Sequence, residues 1–273
     1  MEEFVNKYSN TEFELLKKLI DDDKLHNDCL DRPNIYLRYR DIRPYDYNKV
    51  DISAGHQYIN ASWIHIPLTN YFIATQGTTP KTIEDFWIMC SQYNVDKIIM
   101  LCKLKEKNVE KCANYWDVNN MRSFIIQKMK EQFIDEDNSI ILRVFQFFNI
   151  KQNTSKNIYQ IHLTCWEDHG TLNNNYFDKI RALIDFIDKN KTSNPVVVHC
   201  SAGVGRTGTF ISLYNIYHEV MQQIFEGNKE TIEISVFNLV SKIKEQRMHM
   251  VENENQYFFL YLFINYLLNT YNK

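Results

Sequence analysis

"PVVVHCSAGVGRTGTF", residues 195–210, decides how this chain is read. An apolar run from Pro195 to Val198 leads into Gly203, Gly205 and Gly208, which spell G-x-G-x-x-G, the spacing of a dinucleotide-binding turn. The same loop carries Cys200, a nucleophile, and Arg206, a fixed cation. It therefore either holds a cofactor's pyrophosphate or attacks a phosphate.

The residues beyond the loop choose between the two. A dinucleotide site needs an acidic residue about 20 positions on, at the end of a second strand. After Gly208 the chain instead runs helically through "ISLYNIYHEVMQQIF" to a break at Gly227. Too little sequence remains for the usual mononucleotide-binding halves. A P-loop would need lysine where Arg206 stands. The phosphate reading uses each unusual residue: a strand ending at His199, glycines that let backbone N–H groups turn inward, and a helix starting near Thr207. A nest of N–H groups at a helix N-terminus is an anion site, and its positive field favours a thiolate. Arg206 then grips two phosphoryl oxygens, most strongly in the transition state.

Composition narrows the setting. With 44% hydrophobic residues in 273, the chain has ample material for a core. Its formal net charge of −3 argues against non-specific binding to nucleic acid. The start, "MEEFVNKYSNTEFELL", lacks the basic and apolar regions of a signal peptide. "YFFLYLFINYLL", residues 257–268, falls short of the roughly 20 apolar residues of a spanning helix and is interrupted by Asn265, so it reads as a buried C-terminal helix. Six cysteines without a C-x-x-C pair argue against structural zinc and a disulfide framework. No metal or cofactor is expected.

With 7 Gly and 5 Pro, no stretch reads as an interdomain linker, so one domain over residues 1–273 is expected. Residues 2–23 are helical in pattern. β-rich runs follow in "QYINASWI", "YFIATQ", "DKIIMLC", "SFIIQKM", "SIILRVFQFF", "YQIHLTCW" and "PVVVHC", and helical patterns lie at 80–93, 173–189, 207–225 and 231–247. Strands crowd the middle and helices the second half. That predicts an α/β fold with a highly twisted mixed sheet flanked by helices.

"HCSAGVGRTG", His199 to Gly208, resembles the signature loop of the cysteine-based protein tyrosine phosphatases, and the wider chain resembles the tyrosine-specific family over about residues 10–268. "YLRYRDIRPYDYNKV" is similar to its phosphotyrosine loop, and "QYINASWI" and "FIATQG" to the next two blocks. "EKNVEKCANYW" resembles its E-loop, "TCWEDHG" its mobile acid loop and "QRMHMVENENQY" its glutamine loop. The resemblance implies Cys200 as nucleophile, Arg206 as phosphoryl ligand, Asp168 as general acid and base, and Thr207 as hydrogen-bond donor to the departing thiolate. Tyr39 would wall a deep slot, Asp41 anchor the substrate backbone, and Ser201, Ala202, Gly203, Val204 and Gly205 cradle the phosphate, with Gln256 beside them. Glu106 would hold the arginine, Lys111 lie near the acid loop, Trp166 anchor its hinge, and His199 have a structural or tuning role.

Four positions depart from the family pattern. Glu167 stands for the usual proline before Asp168, Thr78 for a proline in "QGTTP", and His249 for a glycine at the pocket mouth. Glu252 replaces the first glutamine of the glutamine loop. They leave a slow or inactive phosphotyrosine binder as the alternative to a working enzyme. The Asn/Lys-rich composition and compact length resemble the phosphatases of polydnaviruses (bracoviruses). That likeness implies action in the cytoplasm of infected host insect cells, on host signalling. Independently of it, a monomer acting on tyrosine-phosphorylated proteins is expected, and the charge and the short apolar run already argue against nucleic acid and membrane insertion.

Overall fold

The computed structural model describes residues 2–20, 34–67, 71–118, 121–166, 176–227 and 232–271. Its centre is β9, Val196–His199, four residues without exposed surface. A strand buried on both faces must be apolar on both, and this is why its valines run consecutively. β2 (Phe72–Thr75) and β3 (Lys97–Met100) flank it in parallel, with Thr75 and Met100 both opposite His199. Three parallel strands thus end at one level, where open α/β sheets present their ligand crevice.

The sheet has seven strands in the order β1-β2-β9-β3-β8-β7-β6. β1 (Ala61–Ile64) adds antiparallel to β2, while β8 (Thr154–Leu163) pairs parallel with β3 and antiparallel with β7 (Ile140–Asn149), which pairs antiparallel with β6 (Phe124–Phe133). The expected mixed sheet is present. A separate two-stranded piece, β4 (Lys105–Glu106) with β5 (Val109–Glu110), was not legible in the sequence.

Helices α1 (Glu2–Ile20), α2 (Ile83–Gln92), α3 (Phe177–Lys189), α4 (Gly205–Phe225), α5 (Val236–Gln246) and α6 (Glu254–Tyr271) surround the sheet. α4 starts at Gly205, two residues before the expected Thr207. Its residues Gly205 to Ile216 are all buried, so it runs through the core instead of lying on it. α6 buries Tyr257, Phe259, Leu260, Phe263 and Leu267, and Phe13 and Leu16 of α1 enter the same core. Among the described residues no helix is long and apolar enough to cross a membrane.

Candidate active site

β9 delivers the loop from Cys200 to Val204 to the N-terminus of α4. The loop turns at Gly203, whose φ of +74° is in the left-handed region, and a Cβ there would lie 2.2 Å from the Thr75 carbonyl oxygen. Glycine is required on both counts. Arg247, fully buried, holds the outer side of the turn. Its Nε donates to the Gly203 carbonyl at 2.8 Å and its Nη2 to the Ala202 carbonyl at 3.3 Å, while Ser62 accepts from Nη1 and Asn60 from Nη2. With those carbonyls tied outward, the loop N–H groups face inward. The Gly203 N–H donates to Cys200 Sγ at 3.3 Å.

Cys200 is 4% exposed, and Arg206 lies one helical step into α4. The guanidinium is clamped. Nη1 donates to Glu106 Oε1 at 2.8 Å and to the Trp166 carbonyl at 2.8 Å, and Nη2 to Glu106 Oε2 at 3.2 Å. Burial works against its charge, but Cys200 and Glu106 outweigh that, and its pKa is raised. The small β4–β5 hairpin is what presents Glu106 to the arginine. Lys111 follows it, its N–H bonded to the Leu104 carbonyl. The Thr207 hydroxyl is buried and has no hydrogen-bond partner among the described residues, Cys200 Sγ included.

Tyr39 stands over the loop with its hydroxyl 3.0 Å from Ser201 Oγ, and Asp41 is exposed beside it. Arg38 pins this segment, donating to the Gly77, Thr78 and Glu110 carbonyls and pairing with the Glu110 carboxylate at 3.2 Å. Val204, buried, ends the loop and Gly205 opens α4. A Cβ on Gly205 would lie 2.7 Å from Glu252 Oε2 and 2.9 Å from Gln256 Nε2, so both glutamine-loop positions reach the loop. Glu252 is exposed and is attracted by Lys244 of α5, whose own ammonium burial pushes down to about 8. His249 is exposed with a φ of 58°, a left-handed conformation that a glycine would adopt without cost.

His199 is buried behind Cys200, its Nδ1 3.2 Å from the Cys200 carbonyl oxygen and its Nε2 2.9 Å from Tyr115 Oη. Burial lowers its pKa to about 4, so the ring is neutral at physiological pH. Trp166 is buried, with its ring 6.3 Å from that of Phe259. Asp168 and Glu167 lie outside the described residues. Sequence reasoning missed Arg247 and Arg38. Among the described residues, no three His, Cys, Asp or Glu side chains are grouped to hold a metal.

The sequence profile of the family described as Protein-tyrosine phosphatase matches residues 36–266. The chain belongs to the protein-tyrosine phosphatase family. Tyrosine-protein phosphatase non-receptor type 20 of Mus musculus is 34% identical over 239 residues, covering 82% of this chain and 51% of the relative. Tyrosine-protein phosphatase 2 of Dictyostelium discoideum is 36% identical over 217 residues, 78% of this chain and 55% of the relative. The chain thus spans about half the length of these curated relatives. The catalytic domain of human protein tyrosine phosphatase non-receptor type 18 superposes with a TM-score of 0.83 at 28% identity, over 96% of each chain. Another structure of that phosphatase, in complex with HER2 phosphopeptides, gives 0.82 at 28% identity over 95% of this chain and 92% of that one.

Proposed function

We propose that this protein, as one catalytic domain over residues 1–273, hydrolyses phosphotyrosine in proteins. The observation that carries this reading is Cys200 Sγ receiving a loop N–H while Glu106 clamps Arg206 beside it. Cys200, as thiolate, attacks phosphorus, forming the S–P bond as the aryl P–O bond breaks. Asp168 protonates the departing phenolate. Asp168 then takes a proton from water, whose oxygen attacks phosphorus, and the thiolate leaves with inorganic phosphate released. The loop N–H groups and Arg206 bear the charge of both transition states. Tyr39 makes the slot deep enough to favour the long phosphotyrosine side chain. A binding-only protein is not favoured, because such a role needs no positioned nucleophile.

Phosphotyrosine peptides should be turned over far faster than phosphoserine peptides of the same sequence. Equal rates in a steady-state phosphate-release assay would overturn the tyrosine-specific assignment. Within the family, the Asn/Lys-rich composition supports a place among bracovirus phosphatases. In that role the protein would act as a monomer in host cytoplasm on phosphoproteins of host signalling. Dephosphorylation of host proteins in transfected insect cells, absent with Cys200→Ser, is the test.

Glu252 bears on the second step. A glutamine there both donates and accepts, whereas a carboxylate only accepts and is repelled by a dianionic phosphoryl group. Lys244 softens the repulsion without supplying the missing donor. The phosphocysteine should therefore accumulate. Stopped-flow work with p-nitrophenyl phosphate should show a burst that Glu252→Gln diminishes while steady-state turnover rises several-fold. A wild type without a burst, unimproved by Glu252→Gln, would refute a handicapped hydrolysis.

A further inference from the structure

A row of polar side chains crosses the sheet behind the nucleophile. Glu131 on β6, Arg143 on β7 and Gln160 on β8 are direct cross-strand partners, so their side chains share one face. Glu131 is 41% exposed at the sheet edge, whereas Arg143 is buried and Gln160 fully so. Arg143 Nε bonds the Glu131 carboxylate and its Nη1 meets Gln160 Oε1 at 2.7 Å. Gln160 Nε2 is 2.5 Å from Tyr115 Oη, and Tyr115 Oη 2.9 Å from His199 Nε2. His199 Nδ1 closes the row on the Cys200 carbonyl.

The chemistry of the two ends fixes the direction of every bond between them. Arginine only donates, so Gln160 presents its oxygen to Arg143 and its NH₂ to Tyr115. Tyr115, having accepted, turns its own proton to His199 Nε2. The imidazole then carries its single proton on Nδ1, where it donates to the Cys200 carbonyl, a group that only accepts. His162 agrees independently. Its Nδ1 faces Arg143 Nη1 at 3.1 Å and must accept, leaving Nε2–H for the Cys102 carbonyl at 2.7 Å. Burial, reinforced by Arg143, holds His162 down to about 3, so this ring is also neutral.

We propose that Gln160 is a positioning residue for the nucleophile: aligned by Arg143, it acts through Tyr115 to hold His199 in the Nδ1–H form that bonds the Cys200 carbonyl and fixes the backbone of the phosphate loop. In the opposite tautomer the Nδ1 lone pair would face that carbonyl oxygen, and the loop would lose its rear anchor. The kinetic consequence rests on the phosphatase reading above. The hydrogen-bond direction does not.

Gln160→Glu tests it, since it keeps the shape but can only accept from Tyr115, which reverses the row. Nitrogen-15 NMR of labelled histidine should find His199 as Nδ1–H in the wild type and as Nε2–H in Gln160→Glu. Turnover of p-nitrophenyl phosphate should fall about tenfold in kcat, the scale of one lost orienting bond, with KM little changed. In a Tyr115→Phe background the same substitution should have no further effect, because the row is already cut. A merely structural glutamine would cost as much in either background. Should the wild type not turn over, alkylation of Cys200 by iodoacetamide takes the place of kcat, with the same fall in rate expected. An unchanged His199 tautomer in Gln160→Glu, or a switched tautomer with rates within twofold of wild type, overturns the proposal.

Discussion

Replacing Cys200 by serine should lower turnover by at least about 10⁴-fold, the scale on which an enzyme loses its covalent route. A serine hydroxyl is neutral at the pH where a thiolate attacks, and no described side chain lies placed to take its proton: His199 faces the Cys200 carbonyl and Tyr115. The fold should survive, because the exchange removes little volume at a position already served by the loop. The Gly203 N–H that meets Sγ can donate to Oγ instead. The melting temperature should therefore move by no more than an ordinary single substitution allows, about 1 kcal/mol in stability. Binding should persist, since the exchange leaves the loop N–H groups and the clamped Arg206 in place. Phosphotyrosine peptides should be retained on immobilised Cys200→Ser protein and released by vanadate. Residual turnover within about tenfold of wild type would sink the covalent mechanism.

The sequence discloses this loop because its signal is local: Cys200, Gly203, Gly205, Arg206 and Gly208 stand in one short stretch. β9 is legible for a similar reason, since three β-branched valines in a short run after Pro195 favour a strand buried on both faces. The β4–β5 hairpin is hidden, as Lys105–Glu106 and Val109–Glu110 carry no alternation to read. Its turn residues Lys107 and Asn108 adopt positive φ without a glycine to announce them. Glu106 could thus be assigned only through the family resemblance. Arg247 and Arg38 escaped because an arginine is ordinarily solvated. Nothing near Arg247 in the sequence shows that it is fully buried, and its partners Asn60 and Ser62 lie almost two hundred residues away. The row behind Cys200 is hidden in the same way, because register across three strands, not spacing along one, brings Glu131, Arg143 and Gln160 together.

Arg206→Lys should cost almost as much as losing the nucleophile, about 10³-fold in kcat, the upper range for removal of a positioned transition-state donor. Charge alone would predict a mild effect, since both side chains are cationic. The geometry predicts otherwise. Arg206 spends Nη1 and Nη2 on the two oxygens of Glu106 and a further Nη1 bond on the Trp166 carbonyl, so the plane of its fork is fixed before any substrate arrives. A fork held in one plane can meet two phosphoryl oxygens at once, which a lysine ammonium, a single point with a freely rotating stem, cannot match. The lysine would also be drawn toward Glu106 and away from the phosphate. Glu106→Gln separates the two contributions. It keeps one acceptor for the fork but removes the charge, and should lower kcat by about tenfold, as loosened positioning does. Adding Glu106→Gln to Arg206→Lys should then recover part of the activity, because the ammonium is freed to face the phosphate. Arg206→Lys within tenfold of wild type, or a double variant worse than Arg206→Lys alone, would show that positive charge near Cys200 suffices and that the clamp has no catalytic consequence.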